Sequence, residues 1–376
     1  MVSFAYYRLP YLHHATYVAQ HEGQPEVLQS VAELNGKEGF VIAPFAPSSD
    51  CPVLLIHPDE SRLLSTGEPA SALLADGIAP SWSNGGGLAD ASAAVDVDKC
   101  AYQADFACFH EHLLNGDFRK IVLARKCQMD EHLPLAWNKG NMDAGNQTVL
   151  ESLFCRACRL YPRLFVALVY TPQSGMWLMA TPEILLKGDG SNFSTMSLAG
   201  TQRAEPSRTI ADYPVEGVAW SKKNQEEQQY VTDYIERCVA TFTDDYALKG
   251  PYTTMAANLY HLRTDISFRL SDTHHLGDVL DKLYPTPAVC GIPKTETREF
   301  ILSHEHQPRK YYSGFVGPLS TDGKTRLFVS LRCMNILENG TCELYAGGGL
   351  LKESDMETEW RETKAKMQTI KRVLDA

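Results

Sequence analysis

The sequence predicts a mixed α/β (α+β) protein, and three features carry that reading. Short apolar runs of strand length, such as Leu164-Phe165-Val166-Ala167-Leu168-Val169-Tyr170, recur along the chain between turn residues. Longer segments with helical apolar spacing separate them, the last one closing the chain. The composition, 44% hydrophobic and 22% charged over 376 residues, is that of a globular chain able to bury a large core.

Residues 1 to about 80 alternate apolar runs with turns, as at 39–44 and 51–58, and are expected to form strands with intervening helices. The run Pro80-Ser81-Trp82-Ser83-Asn84-Gly85-Gly86-Gly87, with the small and acidic residues that follow to Asp98, reads as a flexible surface connection. It divides the chain into an N-terminal part, 1–95, and a functional region, 96–376. A helix over 101–115 leads into a buried strand that begins at Lys120, within Arg119-Lys120-Ile121-Val122-Leu123-Ala124-Arg125. Residues 137–147 read as a second loop and 149–160 as an amphipathic helix. Strands are expected at 164–170, 176–180 and 184–187, with a turn at Asp189-Gly190. A long helix fits 221–243, and another helical pattern begins near Leu276. Strands resume at 314–317, 327–334 and 342–346, and Asn339-Gly340 is the hairpin turn between the last two. Gly347, Gly348 and Gly349 then end a strand, and a helix from about 357 to 374 follows.

The formal net charge of −11 disfavours a broad phosphate-binding surface and hence nucleic acid as the main partner. An anionic small substrate would need a locally positive pocket. No apolar run approaches the ~20 residues of a membrane span, and Met1 to His14 lacks a basic segment followed by an apolar core. A cytoplasmic protein is expected. The 10 cysteines are scattered without small-domain spacing and read as reduced thiols.

The candidate chemistry begins on the last helix. Glu359, Glu362 and Lys366 stand at i, i+3 and i+7, so two carboxylates and an ammonium share one face. In isolation such a face is a solvated surface with an i,i+4 pair. Preceding glycines change the reading, because they let a backbone approach a ligand and present its N–H groups. An anion and a cation bound side by side would suit them, and hard oxygen ligands select Mg²⁺. A second acidic segment, Lys222-Lys223-Asn224-Gln225-Glu226-Glu227-Gln228, could supply a further carboxylate, although alone it reads as a solvated helix start.

Lys120 enters an apolar strand; a buried lysine with a lowered pKa can act as a general base, whereas at a strand end it can equally stay in solvent. Glu183 lies between two apolar strands just after Pro182. In an apolar wall it would hold a proton near pH 7 and could deliver it; as an exposed turn residue it could not. Arg332 interrupts Phe328-Val329-Ser330-Leu331-Arg332-Cys333, and a buried guanidinium requires an anion, which a ligand carboxylate can provide. Cys155 and Cys158 have no second ligand pair at zinc spacing and read as buried thiols. His13-His14 and His274-His275 read as surface histidines.

Taken in order, RKIVLAR, ATPEILLKGDG with MSLAGTQR, NLYHLRT, YPTPAVCGIP, YYSGFVG, VSLRC, YAGGGL and EWRETKAK resemble the chorismate-utilising enzymes, most closely the isochorismate synthase branch. The resemblance runs from about Lys120 to the C-terminus. It implies a single large domain of two packed β-sheets surrounded by helices. It also implies Mg²⁺-dependent isomerisation of chorismate to isochorismate, in which water adds at ring C2 and the C4 hydroxyl leaves. Lys120 then matches the residue that activates water, and Glu183 the acid that protonates the departing hydroxyl. Glu227 and Glu362 match the metal ligands, with Glu359 acting beside the ion through water. Arg332, Tyr312 and the Gly347 backbone match groups that hold the enolpyruvyl carboxylate. Gly200, His261, Thr286 and Lys366 match positions lining the ring and its C1 carboxylate, while Ala288, Val289 and Tyr312 lie against the ring.

Within the family, Lys120 favours water over ammonia as nucleophile, and no amidotransferase subunit is expected. A monomer is expected as well. Salicylate synthases, which keep the lysine and go on to expel pyruvate, remain an alternative, as does a non-catalytic subunit that binds chorismate-like anions. Tyr312 stands where siderophore-pathway enzymes tend to have phenylalanine, which favours the menaquinone branch. The segment at 222–228 has Asn224 where the family usually has an acid, and the C-terminal glycine run has Gly348 where the family usually has alanine.

Overall fold

Apolar residues at every position of a strand bury both of its faces. Thus Phe165, Ala167 and Val169 join one core cluster while Val166 and Leu168, pointing the other way, join another. In the computed structural model, residues 2–65, 91–135, 144–203, 215–256 and 259–375 are described. The chain opens with β1 (Ser3–Arg8), β2 (His14–Gln20), β3 (Glu26–Leu28), β4 (Gly39–Ala43), β5 (Val53–Ile56) and β6 (Glu60–Ser65), with a 3₁₀ turn at Ala32–Leu34. α1 (Ala91–Asn115), β7 (Lys120–His132), α2 (Ala144–Leu160), β8 (Phe165–Thr171), β9 (Gly175–Thr181), β10 (Ile184–Asp189) and β11 (Asn192–Arg203) follow. Next come α3 (Lys222–Ala240), β12 (Tyr246–Ala256), β13 (Leu259–Arg269), α4 (Leu276–Leu283), β14 (Gly291–Ile292) and α5 (Lys294–His304). The chain closes with β15 (Phe315–Leu319), β16 (Lys324–Val329), β17 (Cys333–Ile336), β18 (Thr341–Leu350) and α6 (Met356–Lys371).

Two 9-stranded sheets result, in the orders β14-β7-β18-β17-β9-β8-β1-β2-β6 and β12-β13-β11-β10-β16-β15-β4-β5-β3. They pack face to face across a shared core to which Tyr7, Trp177 and Met179 contribute from the first and Phe40, Leu54 and Val316 from the second. Phe165 of β8 stacks on Phe328 of β16 across that interface, centroids 4.1 Å apart and planes within 5°. Helices α2 and α6 cover the outer face of the first sheet, and α3 and α4 that of the second. The two-sheet, single-domain expectation therefore holds. Residues 2–65 build edges of both sheets: β1 pairs with β8, and β4 with β15. No helix of the described residues is long and apolar enough to cross a membrane.

Several local expectations are corrected. Among the described residues before position 66 there is no α-helix between the strands, only the turn at Ala32–Leu34. Residues 80–90 of the expected connection, and 137–143 of the second loop, lie outside the described residues; 91–98 and 144–147 belong to α1 and α2. Their small residues include alanines, which favour helix as readily as they suit a loop. The polar-rich strands β11, β12 and β13, and helix α5, were not anticipated as elements. The single strand expected at 327–334 is two strands in different sheets, β16 and β17, separated at Ser330-Leu331-Arg332, where Arg332 adopts φ +50°. Gly347–Gly349 do not end a strand: β18 continues through them, pairing Gly347 with Ala124 and Gly349 with Val122 of β7.

Candidate active site

Two crossings between the sheets create the site. The chain leaves β9 in one sheet and enters β10 in the other through Pro182-Glu183, and it returns from β16 to β17 through Ser330–Arg332. The crossings are tied together, since Val329 N–H donates to Glu183 O (3.0 Å) and Ala180 N–H donates to Arg332 O (3.1 Å). Both side chains enter one cavity, whose wall also includes Gly200, Glu227, His261, Ala288, Val289, Tyr312, Gly347, Gly349 and Lys366. Ten of the residues singled out in the sequence thus line one space. The other four stand around it.

Lys120 begins β7, opposite Ile292 of β14, and is fully buried. Its Nζ lies 3.0 Å from Glu227 Oε1 yet makes no hydrogen bond among the described residues. Gly349, on the neighbouring strand, is what admits this pair: a Cβ there would stand 2.3 Å from Glu227 Oε1 and 2.7 Å from Lys120 Cε. Glu227 rather than its neighbour faces inward, since its side chain is 12% exposed against 41% for that of Glu226, which pairs with Lys222.

Glu359 and Glu362 project from α6 beside Gly348, where a Cβ would lie 3.1 Å from Glu359 Oε2 and 3.8 Å from Glu362 Oε1. Burial and the nearby Glu362 push Glu359 up to about 7, against the pull of Lys223. Burial raises Glu362 too, but Lys366 and Lys223 outweigh it and hold the carboxyl below its usual range. Lys366 Nζ sits 2.5 Å from Glu362 Oε1 and donates to Gly347 O at 2.9 Å. Lys223 Nζ sits 2.5 Å from Glu359 Oε1, which also accepts from Ser354 Oγ at 2.9 Å. Lys223 and Ser354 carried no role in the sequence reading. Lys223, one turn before Glu227 on α3, had the spacing that would have marked it.

On the opposite wall the groups are buried and uncharged or unpaired. Burial lifts Glu183 to about 7, against the pull of Lys120, Arg332 and Lys366, and Thr286 stands beside its carboxyl. His261 is buried, and desolvation with the Arg332 and Lys366 charges holds it well below its ordinary value, so it is neutral. A bulge in β11 turns Gly200 O toward it (3.0 Å from Nδ1); a carbonyl only accepts, so Nδ1 carries the proton and Nε2 accepts from Arg332 Nη2 at 3.3 Å. Burial lowers Arg332, which forms no ion pair among the described residues. Tyr312, raised to about 12 by burial, places its hydroxyl 2.9 Å from where a Gly347 Cβ would be.

No group of three or more His, Cys, Asp or Glu side chains among the described residues is gathered as a metal cluster. The donor chemistry nonetheless suits a hard cation: Glu227, Glu359 and Glu362 are hard oxygen ligands around the side-chain-free strip Gly348-Gly349, and each is neutralised by a lysine. A family model described as chorismate binding enzyme matches residues 88–375. The chain belongs to the chorismate-binding enzymes. Isochorismate synthase EntC of Escherichia coli (strain K12) is 29% identical over 197 residues, 52% of this family member and 50% of that protein. Isochorismate synthase MenF of the same strain is 29% identical over 262 residues, 70% and 57% of the two chains. Isochorismate synthase DhbC of Bacillus subtilis (strain 168) is 32% identical over 205 residues, 52% and 50%. The matched stretch thus spans about half the length of the first of these curated relatives. Among solved structures, MenF, the menaquinone-specific isochorismate synthase from Escherichia coli, has a TM-score of 0.72 at 20% identity, covering 99% of this chain and 88% of that one. Anthranilate synthase component I from Streptococcus pneumoniae TIGR4 has 0.61 at 17%, covering 96% and 81%. At these identities the likeness establishes a shared fold.

Proposed function

We propose that this chorismate-binding chain is an isochorismate synthase, an isomerase that adds water at C2 of chorismate as the C4 hydroxyl departs and the double bond shifts. The observation that carries the reading is the placement of Lys120, a buried amine side chain with no hydrogen bond among the described residues, behind the wall of the cavity that Glu183, a buried carboxyl lifted to about 7, lines. Water is a weak nucleophile and hydroxide a poor leaving group, so the reaction needs a base and an acid at once. Lys120 Nζ takes the proton of the attacking water, and the Glu183 carboxyl gives one to the leaving hydroxyl; the net proton count is unchanged, as an isomerisation requires. Arg332 and neutral His261 hold a substrate carboxylate on the other wall, Tyr312 and the Gly347 backbone meet it there, and Lys366 with Gly200 and Thr286 orient the ring carboxylate. Ala288 and Val289 supply the apolar surface against the ring.

Glu227 and Glu362 are the residues that would hold Mg²⁺, with Glu359 beside them; bound there, the ion would neutralise and position the ring carboxylate. The relatives' names support this reading, with EntC, DhbC and MenF all described as isochorismate synthases. We assign the chain to a menaquinone route on the strength of Tyr312. Incubating the purified chain with chorismate and Mg²⁺, with and without chelator, and resolving products by chromatography tests the proposal. Isochorismate formed only with free Mg²⁺ is the expected result. Salicylate with pyruvate would replace it by the lyase reading, and unchanged chorismate by a binding module.

A further inference from the structure

On the outer face of the second sheet lies another cavity, of about 710 Å³, walled by the C-terminal ends of α3 and α4, the start of α5 and the loops at 29–31 and 45–47. That volume is in the range of small-molecule sites. In a chain of net charge −11 its lining is cationic, with Arg237, Lys282, Lys294 and Arg298 against the single carboxylate of Asp281. Lys294 is spent: its ammonium donates to Asp281 O, Lys282 O and Tyr284 O at 2.8, 3.2 and 2.5 Å, capping α4. Arg298 is not, because its Nε is buried with no hydrogen bond among the described residues. The hydroxyls of Tyr234 and Tyr284 donate to backbone carbonyls, at 3.0 Å to Lys282 O and 2.8 Å to Ser313 O, so these rings and Phe45 offer apolar surface. Free guanidinium and ammonium groups beside aromatic walls select a flat anion.

We propose that this cavity is a second ligand site, taking a small aromatic carboxylate, and that it is coupled to the active site. The coupling has a physical route. Phe45, on the cavity wall, lies under the Arg309 guanidinium (4.4 Å), and Arg309 donates to Val289 O and Val122 O, each at 2.7 Å, both residues lining the active site. The Arg309–Glu305 ion pair (2.6 Å) is fully buried, so movement at Phe45 is passed on and not absorbed by solvent. Tyr284-Pro285 forms the same wall and continues directly into Thr286, beside Glu183.

The binding half of the proposal does not depend on the chemistry assigned to the chain; the coupling half rests on chorismate being its ligand. Calorimetric titration of the full chain with phthalate, in an Arg332→Gln background that weakens carboxylate capture at the active site, should show one saturable site. Arg298→Gln should weaken it by about ten-fold or more, and the exposed Arg237→Gln by a few-fold. Inorganic phosphate, which lacks a ring, should bind about ten-fold more weakly than phthalate. In the otherwise wild-type chain, saturating phthalate should shift the apparent dissociation constant for chorismate by a few-fold, and Arg298→Gln, with its basal activity unchanged, should abolish the shift. No saturable phthalate binding, or binding untouched by both Arg298→Gln and Arg237→Gln, overturns the site. Phosphate binding as tight as phthalate overturns its aromatic specificity, and binding without any shift overturns the coupling. Phthalate binding in a chain that leaves chorismate unbound would refute the chorismate reading and leave the site standing.

Discussion

On the α3–α6 rim of the cavity every inward carboxylate faces a lysine, Glu227 with Lys120, Glu359 with Lys223 and Glu362 with Lys366, whereas at the two sheet crossings Glu183 and Arg332 are buried without an ion pair among the described residues. The rim is electrically balanced as it stands, and deleting one member of such a buried pair typically costs about 3–5 kcal/mol through the charge left behind. At the crossings, by contrast, nearby charges offset desolvation only in part, which keeps Glu183 protonated near neutrality and lowers Arg332. The difference teaches a division of labour. Helix-borne pairs hold balanced charges in place, while the crossings hold buried groups without a countercharge, which on the proposed reading a substrate would supply.

Lys120 belongs to both halves, and removing it should break the comparison most severely. In Lys120→Ala, turnover of chorismate should fall by about 10³-fold or more, with chorismate affinity by calorimetry within a few-fold of the parent. Full activity would sink the base assignment. Glu183→Gln keeps the shape and should lower turnover by about 10²-fold. Because the acid must carry its proton, parental activity should decline as pH rises through about 7, and that limb should vanish in the variant. Stability moves the same way. The folded-state value is raised to about 7 from 4.5, so the folded chain keeps a proton that the unfolded chain has lost; the benefit is complete below 4.5 and lost as pH climbs through 7. Denaturant titrations at pH 4 and pH 8 should show the parent losing about 3 kcal/mol relative to Glu183→Gln across that window.

Arg332→Gln sharpens the other crossing. It removes a guanidinium that the protein itself does not pair, so the folded chain should be no less stable, while the KM for chorismate should rise by about 10²-fold with a smaller change in kcat. A destabilised variant with unchanged KM would mean that Arg332 serves the fold and not the ligand.

How legible these halves were in the sequence differs for a physical reason. Glu359, Glu362 and Lys366 announce themselves by helical spacing alone, and the inward register of Glu227 follows once α3 starts at Lys222. Lys120 and Glu183 were visible as charges inside apolar runs, but burial, which decides their chemistry, is set by partners far away in sequence such as β14 and β16. Arg332 looked like part of one long strand because periodicity has no memory of which sheet a strand joins; only its positive φ reveals the crossing. Strands β11 and β13 were missed because they turn polar residues, Ser197, Thr264 and His261 among them, toward buried neighbours. Alternation of apolar and polar residues cannot find a strand whose buried side is polar.

The glycine strip offers the finest test, since it is the seam between the two halves. Gly348 and Gly349 are adjacent on β18, so their side-chain positions face opposite ways, and each would add one methyl group. At Gly349 that methyl would overlap Glu227 Oε1 and Lys120 Cε, forcing apart the one pair that joins base to rim, and turnover should drop by about ten-fold as both flexible side chains shift. At Gly348 the nearest atom is Glu359 Oε2, at 3.1 Å, the end of a side chain that needs to give only a few tenths of an ångström. Gly348→Ala should therefore stay within about two-fold of the parent in kcat/KM, while weakening Mg²⁺ activation slightly if Glu359 serves the cation. Equal losses in the two variants would show that the strip acts through backbone conformation; the expected asymmetry would place Lys120 and Glu227, and not the glycine backbone, at the point where base and rim meet.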